Sequence, residues 1–433
     1  MIRPVVIALL LSGCEFSGPG GSRLWFGSRT DAAALRLATQ APYGEAGLEE
    51  RLLEPYRGAH PGLPVTAQFA ATDDAHRERL LTSLARGRGP DAFLLGARDV
   101  PALVDRGLIL DLAPYLARIG VDVRGLDPAV LAVFRRGDAI YALPRGSSPV
   151  VIAYNKDLFD RAGLDYPTDD WTWDDFLRLA RLLTHPRGRP GPVEQWGTYA
   201  DRRVRGWLPW LWSGGGDVLC AGGRRASGCL DSPTTIAALR WYTDWVTRDG
   251  IAPQPGGSLN AEGDNLGLLK SGRVAMLTVG HSAVLWLRSG AAGRLRVGFA
   301  ELPHRGDFPR VTLLEAWGYA VPEQAARRRL AVELVASLTD SEAEAARGEA
   351  GLELPAAAGA EEALLEHDPT GWERTFVRAA RDGRAGWGAQ LEQWPAVEAV
   401  LPDLIDAMLA GADPAQAARA MARRLDGLLS SAR

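Results

Sequence analysis

The sequence contains very little cysteine, histidine or lysine, and these shortages exclude several classes of protein. Three cysteines among 433 residues are too few for a disulfide-dense scaffold or a four-cysteine zinc site. The six histidines stand without the spacing of metal ligands, so we expect neither a metal site nor a cofactor. Lysine occurs only at Lys156 and Lys270, and the net charge of -4 provides no basic surface for nucleic acid. We therefore expect no nucleic-acid partner.

The motifs of several enzyme classes are missing as well. No Gly-x-Ser-x-Gly elbow of a hydrolase occurs, and the glycine run at 214–216 is not followed by the Gly-Lys-Ser/Thr of a phosphate-binding loop. Adjacent acids at 73–74, 169–170 and 174–175 are typical of helix starts, where carboxylates interact with the helix dipole. A glycosidase needs two carboxylates across a cleft, so a carbohydrate-active enzyme remains only a distant alternative to a non-catalytic protein.

The composition is that of an ordinary globular protein. Hydrophobic residues make up 46% and charged residues 24% of the chain, which excludes a disordered protein. The length corresponds to roughly two or three domains. No repeat at a fixed period of about 20 to 50 residues is visible, and proline and glycine are spread through the body without a long linker. These features favour one compact body of two lobes.

The amino terminus has the pattern of an export signal. A positive residue precedes the apolar run 5–11, which is far shorter than the roughly 20 residues of a membrane span and lies at the lower limit for a signal-peptide core. Leu-Ser-Gly-Cys at 11–14 resembles the lipobox of bacterial lipoproteins, in which Cys14 would be lipidated. We predict a signal peptide at 1–13 and a flexible Gly/Ser-rich tether at 14–32. The alternative is a hydrophobic tail with an accidental cysteine.

An exported lipoprotein would be anchored in the membrane by its lipid, facing the periplasm or the outer cell surface, where disulfides persist. Cys220 and Cys229 flank a turn-rich segment of eight residues. Two cysteines at the ends of a tight hairpin can reach the Cα separation that a disulfide requires, about 4.4–6.8 Å. With Cys14 lipidated, a bridge between these two leaves no cysteine over. Two free surface thiols are the alternative.

The first third of the chain alternates between strand and helix patterns. Strands are predicted at 35–38, 64–69 and 90–95, the last being an apolar run typical of a buried parallel strand. Helices are predicted between them at 47–56 and 74–86, where leucines recur at helical spacing. This alternation is typical of an α/β sheet. Helical spacing predicts further helices at 173–183, 234–248, 324–339, 403–409 and 414–429.

Local motifs follow one another in an order that resembles a known family. They include Tyr-Asn-Lys-Asp-Leu-Phe at 154–159, Lys-Ser-Gly-Arg-Val-Ala-Met at 270–276 and Trp-Gly-Tyr-Ala-Val at 317–321. From about residue 34 to the end, the chain resembles the family 1 extracellular solute-binding proteins, the substrate-binding components of ABC importers, a group that includes maltose-binding protein. The resemblance implies an α/β fold of the periplasmic-binding-protein type, with two lobes joined by a three-segment hinge and a ligand cleft between them.

The resemblance also implies how the chain is divided and what it does. It places crossings between the lobes near 145–148, 314–317 and 354–358. Lobe one would then hold 33–146 and 315–354, and lobe two would hold 147–314 and 355–433. The implied function is capture of a sugar or oligosaccharide and its delivery to the permease subunits of an ABC importer, by a monomer that touches the membrane only through its lipid anchor. A lipoprotein of the same fold that senses a solute and reports to a membrane receptor is the alternative.

Ligands of open α/β sheets lie beyond the carboxyl ends of the strands, and the resemblance places ligand contacts in loops there and in the crossings. The candidates are Gln40, Tyr43, Arg98, Asp99, Arg145, Ser147, Ser148, Arg205, Trp207, His281, Glu315, Trp317 and Trp387. Trp317 is the favoured aromatic contact, because an indole face matches the apolar face of a sugar ring. His281 stands where the family commonly shows a stacking aromatic, which puts a maltodextrin specificity in doubt.

Structural roles are the alternatives for several of these candidates. Asp99 could cap a helix, with Arg98 in solvent, and Trp387 and Trp394 could pack in a core. Of the tryptophans at 207–212, Trp207 is the expected cleft residue, whereas Trp210 and Trp212 are expected in a helix core. Guanidinium and carboxylate groups can each make two directed hydrogen bonds to neighbouring hydroxyls. The arginines among the candidates also leave an anionic ligand open.

Overall fold

A computed structural model of the chain describes residues 34–42, 44–185, 194–254, 265–290 and 293–430. The predicted signal peptide, Cys14, the tether and Tyr43 lie outside these described residues. Within them, no helix combines the length and the apolar character that crossing a bilayer requires.

Strands form where apolar and β-branched residues run in short segments. The three strands predicted in the first third of the chain are confirmed, each with bounds within two residues of those predicted. In chain order the strands are β1 (Leu35–Gln40), β2 (Val65–Ala70), β3 (Ala92–Gly96), β4 (Arg135–Arg136), β5 (Ala139–Ile140), β6 (Leu143–Pro149), β7 (Val151–Asn155), β8 (Met276–Val279), β9 (Val297–Ala300), β10 (Thr312–Ala320) and β11 (Gly383–Ala385).

Helices account for about half of the other described residues, and the short 3-10 helices lie at 97–99, 123–125 and 387–389. In chain order the α-helices are α1 (Ala46–Leu52), α2 (Glu54–Ala59), α3 (Asp73–Ala85), α4 (Val100–Asp105), α5 (Ala113–Ile119), α6 (Pro128–Ala132), α7 (Lys156–Ala162), α8 (Trp173–Leu182), α9 (Val204–Ser213), α10 (Pro233–Thr247), α11 (Asn265–Lys270), α12 (Ser282–Arg288), α13 (Arg328–Leu338), α14 (Ser341–Ala350), α15 (Ala358–Glu366), α16 (Trp372–Arg381), α17 (Trp394–Val400), α18 (Pro402–Leu409) and α19 (Pro414–Ser430).

The single helix predicted at 47–56 is wrong, because α1 and α2 are separate helices with Leu53 between them. Pro55 lies in the first turn of α2. Proline lacks an amide hydrogen and its ring clashes with the preceding turn, so one helix ends before it and a new one begins. The helix predicted at 324–339 begins only at Arg328, since the residues before it form a turn closed by the Ala325 amide on the Pro322 carbonyl.

The larger sheet has the strand order β11-β10-β3-β1-β2, and β6 also pairs with β10. β1 runs parallel to β2 and β3, whereas β10 runs antiparallel to β3 and β6. Side chains alternate across the sheet, so that Leu35 and Leu37 join one core and Ala38 joins another. The central strands of this mixed sheet are therefore buried on both faces.

The smaller sheet has the order β8-β7-β9, with β7 antiparallel to both neighbours. Asn155 ends β7 and begins α7: its side-chain oxygen accepts a hydrogen bond from the Leu158 amide at 3.2 Å, and its side-chain nitrogen donates to the Leu269 carbonyl at 3.1 Å. The motif at 154–159 therefore turns the chain from strand into helix. Its role is structural.

Three segments lie side by side where the chain passes between the two sheets. β6 leads after one residue into β7, and it pairs with β10 so that Gly146 stands opposite Trp317 and Ser148 opposite Glu315. Ser147 in turn exchanges two backbone hydrogen bonds with Leu354, of 2.9 and 2.8 Å. The segments that the family resemblance names as crossings are thus hydrogen-bonded to one another.

Buried apolar residues form separate cores around the two sheets. The cores of the larger sheet draw mainly on 35–143 and 316–338. Those of the smaller sheet draw mainly on 150–302 and 364–425. Trp210 and Trp212 lie in the latter, as predicted. Each sheet therefore has its own apolar interior, built from two stretches of the sequence.

The structure contains a disulfide between Cys220 and Cys229, whose Cα atoms are 5.3 Å apart, so the alternative of two free thiols is wrong for this structure. The loop that it closes is tied to α19, because the Asp426 carboxylate accepts hydrogen bonds from the amides of Ala226 at 2.6 Å and Ser227 at 3.3 Å. The bridge therefore holds a loop that already has a tertiary anchor.

Replacing both Cys220 and Cys229 with serine should lower the free energy of unfolding by about 2–3 kcal/mol, the loop-closure entropy of a short loop, here with ends 9 positions apart. Urea unfolding with and without a reducing agent measures the effect. The reducing agent should bring the wild type to the stability of the double variant and leave the variant unchanged. A variant as stable as the oxidised wild type would contradict the expectation.

Candidate functional site

A cavity opens where the loop after β3, the crossing strand β10 and the helices α9 and α17 meet. It encloses about 680 Å³ of empty space, counted out to its open mouth. The first residue of α3 and the segment that follows β11 complete its wall. The cavity lies at the carboxyl end of β3, the place where open α/β sheets bind their ligands.

Arg98 supplies the first polar part of the wall. Its Nη2 donates to Asp73 Oδ2 at 2.5 Å, and both residues line the cavity. The adjacent Asp99 is buried, and its Oδ1 accepts a hydrogen bond from Arg77 Nε at 2.7 Å. Burial raises the pKa of Asp99 although the two arginines lower it. The predicted pair is thus divided, with Arg98 in the cavity wall and Asp99 in a neighbouring groove between α3, α4 and α17.

Arg205 of α9 and Glu315 of β10 form a second ion pair in the wall, with Nη2 and Oε2 3.2 Å apart. Gly280, which follows β8, lies against this pair. A Cβ atom at Gly280 would stand 2.7 Å from Ser148 Oγ and 3.4 Å from Arg205 Nη2. A side chain does not fit so close an approach, so the loop after β8 reaches the ion pair with its backbone alone.

Trp317 provides aromatic surface in the middle of the wall. It lies on β10 opposite both Gly96 and Gly146, and it lines the cavity. A Cβ atom at Gly96 would stand 3.7 Å from the indole nitrogen of Trp317. The ring therefore lies in van der Waals range of the backbone at the end of β3.

Arg145, Ser147 and Ser148 do not line the cavity, although their segment was predicted to face it. Arg145 is 2% exposed and donates from Nε to Glu353 Oε2 at 2.9 Å. Ser147 is engaged by its backbone, and Ser148 Oγ accepts a hydrogen bond from the His281 amide at 2.8 Å. Arg145 instead joins β6 to Glu353, and Ser148 joins β6 to the loop after β8.

Three aromatic or imidazole candidates are also structural in this structure. The Trp207 indole lies in the core and donates to the Arg202 carbonyl at 3.2 Å. Trp387 is buried, and its indole nitrogen donates to Asp217 Oδ1 at 2.8 Å. His281 is fully buried, with Nε2 2.6 Å from Glu373 Oε2. In each case one ring nitrogen of a buried side chain contacts a neighbour within the protein, whereas His281 Nδ1 has no hydrogen-bond partner among the described residues.

Gln40 ends β1 and is buried, and its side-chain oxygen has no hydrogen-bond partner among the described residues. It does not line the cavity. Tyr43, which was predicted alongside it, lies outside the described residues. The prediction for the loop after β1 therefore stays a prediction.

Asp73 and Glu398 line the cavity but are absent from the candidates predicted by sequence. Asp73 is the first residue of α3, and its carboxylate was interpreted as part of a helix start. Glu398 lies four residues after Trp394 on α17, and both line the cavity. Residues four apart share a face of a helix, so the spacing from Trp394 is the sequence signal that could have found Glu398.

In the described part of the chain, no three His, Cys, Asp or Glu residues are grouped closely enough to hold a metal ion. The ionisable residues of the wall are instead arranged as arginine–carboxylate pairs with one further carboxylate, that of Glu398. Such a lining can orient a polar solute by directed hydrogen bonds.

Sequence comparison finds a match to the family described as bacterial extracellular solute-binding protein, over residues 38–345. The mannitol-binding protein of Pseudomonas aeruginosa is 25% identical over 288 residues, which cover 63% of this chain and 61% of that protein. The erythritol/L-threitol-binding protein of Mycolicibacterium smegmatis is 35% identical over 121 residues, 24% of this chain and 25% of that protein. The chain spans about two thirds or less of the length of the curated relatives it matches.

Structural comparison gives a longer match. The ABC substrate-binding protein of Listeria monocytogenes in complex with cycloalternan aligns with a TM-score of 0.82 at 21% identity, over 92% of this chain and 100% of that one. This likeness shows the fold, a mixed α/β protein of the periplasmic-binding-protein type with two lobes. The fold class predicted from the sequence is confirmed.

Proposed function

This chain belongs to the family of bacterial extracellular solute-binding proteins, and we propose that it captures a sugar or oligosaccharide and delivers it unchanged to the permease subunits of an ABC importer. The position of the cavity carries the proposal. One wall comes from the loop after β3, the other from α9 and α17, and the crossing strand β10 runs between them. A solute held there contacts both halves of the molecule and the connection between them.

The lining offers the two kinds of group that a polyhydroxylated solute requires. Trp317 and Trp394 supply aromatic surface, which packs against the C–H face of a sugar ring. Arg98, Arg205 and Glu315 supply directed donors and acceptors for hydroxyls. Relatives named for mannitol and erythritol/L-threitol, and the cycloalternan complex of the structural relative, support a solute of this class. The contacts of these residues with a ligand are part of the proposal.

We propose that lobe one comprises 33–146 and 315–354, and that lobe two comprises 147–314 and 355–433. The separate apolar cores and the three adjacent crossing segments support this division, although β11, within 355–433, pairs with β10 in the larger sheet. The protein would then open and close by bending of the crossing segments. A solute favours closure only as far as it binds the closed form more tightly than the open one.

Export and anchoring complete the proposal. We propose that residues 1–13 are removed as a signal peptide, that Cys14 is lipidated, and that 14–32 tether the folded part, as a monomer, to a membrane. The sequence pattern at 11–14 and the family's extracellular character support this. Mass spectrometry of the amino-terminal peptide from membrane-purified protein tests it, and an unmodified Cys14 would overturn it.

The thermal midpoint of the full chain, purified in a mild detergent, should rise in the presence of one class of sugar or polyol. A ligand at about a hundred times its dissociation constant stabilises the folded state by roughly 2.7 kcal/mol, which corresponds to a shift of a few degrees. A panel of sugars, polyols and phosphorylated solutes identifies the class. No shift with any member of the panel would count against the proposal.

Trp317→Ala should weaken binding of the solute found in that panel by about 30-fold or more, because a buried aromatic anchor contributes roughly 2 kcal/mol or more. Isothermal titration calorimetry measures the change. Trp286→Ala is the matched control, since Trp286 lies on α12 and does not line the cavity. Equal affinities for the two variants would show that Trp317 is not part of the site.

A further inference from the structure

The charges in the wall of the cavity are unequal. Its ionisable side chains are the two guanidinium groups of Arg98 and Arg205 and the three carboxylates of Asp73, Glu315 and Glu398. Each guanidinium already has a carboxylate partner within the wall, Arg98 with Asp73 and Arg205 with Glu315. Glu398 is the acid that this pairing leaves over.

Glu398 has no hydrogen-bond or ion-pair partner among the described residues, although it lies in the wall of a cavity. It is half-buried on α17, and burial raises its pKa even though the more distant Arg98 and Arg77 lower it. Its helix neighbour Trp394 and the crossing residue Trp317 line the same cavity. A carboxylate that is neither hydrogen-bonded nor ion-paired within the described part of the chain thus shares the cavity with two indoles.

We propose that the solute carries a protonated amine beside its hydroxyl groups and that Glu398 binds this amine. The inference rests on the proposed function and names its substrate class. A carboxylate together with aromatic rings is the combination that recognises an ammonium group, through charge-assisted hydrogen bonds and through attraction to the ring faces. The amine supplies the positive charge that the wall lacks.

Closure of the cavity strengthens the need for a positively charged group beside Glu398. When water is excluded, a carboxylate without a counter-ion becomes costly, because desolvation penalises the charged form. A hydroxyl can donate a hydrogen bond to Glu398 but leaves its negative charge uncompensated. An ammonium group donates a hydrogen bond and also compensates that charge.

The same arrangement disfavours the anionic ligand that the arginines suggested from the sequence. An anion would have to separate Arg98 from Asp73, or Arg205 from Glu315, and would add to the negative charge at Glu398. Arg98 and Arg205 are therefore engaged with carboxylates of the wall, and Glu398 is the charged side chain available to a ligand.

Matched pairs of amino sugars and their neutral counterparts test the inference on the full chain. The probes are D-glucosamine, D-galactosamine and the β-1,4-linked disaccharide of glucosamine, each compared with its N-acetylated form and its hydroxyl analogue. At least one amine should raise the thermal midpoint more than both of its neutral counterparts. Titration calorimetry should give an affinity for it higher by roughly tenfold or more, the range of a charge-assisted contact.

Glu398→Gln keeps the size of the side chain and removes its charge. The ratio of the affinity for the amine to that for its neutral counterparts should therefore fall close to one. Glu366→Gln is the control, because Glu366 is exposed on α15 and does not line the cavity. It should keep the full preference.

Four results would contradict the inference. Equal binding of an amine and its neutral counterparts would overturn it, as would a preference that survives in Glu398→Gln. Binding of neutral sugars or polyols without binding of any amine would overturn it and leave the proposed function intact. The absence of binding by every solute tested would overturn the proposed function, and this inference with it.

Discussion

Arg347→Met is expected to lower the free energy of unfolding by about 3–5 kcal/mol, the cost of breaking a buried ion pair from one side. Arg347 is fully buried and donates from Nε and Nη2 to the two carboxylate oxygens of Glu49, both at 2.8 Å. Its Nη1 donates to the Leu338 carbonyl at 2.6 Å. The guanidinium thus connects α14, α1 and the end of α13.

The loss is large because Glu49 would remain as a buried acid. Burial raises the pKa of Glu49, but the charge and hydrogen bonds of Arg347, with help from Arg145 and Tyr319, outweigh burial and lower that pKa from 4.5 to about 2. Without Arg347 the nearest cation is Arg145, whose Nη1 is 3.7 Å from Glu49. Arg145 is already engaged with Glu353.

Urea unfolding of the variant measures the loss, with Arg329→Met as the control. Arg329 donates to Glu333 at 2.8 Å on the surface of α13, where such pairs contribute about 1 kcal/mol or less. Adding Glu49→Met to Arg347→Met should recover part of the stability, since both charges are then replaced by apolar groups. If Arg347→Met cost no more than Arg329→Met, the buried pair would not stabilise the fold.

The second large effect is a loss of stability between about pH 5 and pH 8 that arises from Glu344. This residue is buried on α14, and its Oε2 accepts a hydrogen bond from the Ala357 amide at 2.7 Å. Its other oxygen has no partner among the described residues. Burial raises the pKa of Glu344 from 4.5 to about 8, although the amides of Ala357 and Ala356 and the charge of Arg347 lower it.

The direction of the pH effect follows from where the proton is bound. Between pH 4.5 and 8 the folded protein holds a proton on Glu344 that the unfolded chain releases. This contribution to stability is complete below the unfolded pKa and is lost as the pH rises through the folded pKa. A difference of this size in pKa corresponds to roughly 4–5 kcal/mol.

Glu344→Gln should remove this part of the pH dependence and make the protein more stable than the wild type at pH 8. The glutamine carbonyl can still accept the hydrogen bond from Ala357, and its amide carries no charge to desolvate. Urea unfolding from pH 5 to 8 gives the slope of the unfolding free energy against pH for the variant and for the wild type. Glu342→Gln, on the exposed side of the same helix, should keep the wild-type slope. A Glu344→Gln variant with that slope too would show that Glu344 is ionised in the folded protein.

The sequence predicted the fold well where the pattern is local. The first three strands and α3 follow from short apolar runs and from leucines at helical spacing, and the structure places them within two residues. The break at Pro55 was missed because Leu48, Leu52 and Leu53 continue the helical stripe toward it. A periodic stripe reports which face is buried, not whether the backbone is continuous.

The cavity could be predicted only in part. Arg98, Arg205, Glu315 and Trp317 line it as expected from their loops and crossing strand, and their contact with a solute stays a prediction. Arg145 does not line the cavity and pairs instead with Glu353, which lies 208 positions away in the sequence. Whether an arginine faces a cavity or a buried acid depends on such distant pairings, which no local pattern reveals.

The late position of β10 in the chain determines when the larger sheet can be completed during synthesis. β1, β2 and β3 have all been made by residue 96, but β10, the second partner of β3 beside β1, begins only at Thr312. Through that interval the nascent chain carries an open strand edge, which invites pairing with other chains. Contacts so distant in sequence also form slowly. The yield of folded protein should therefore depend on how the nascent chain is protected while residues 97–311 are made.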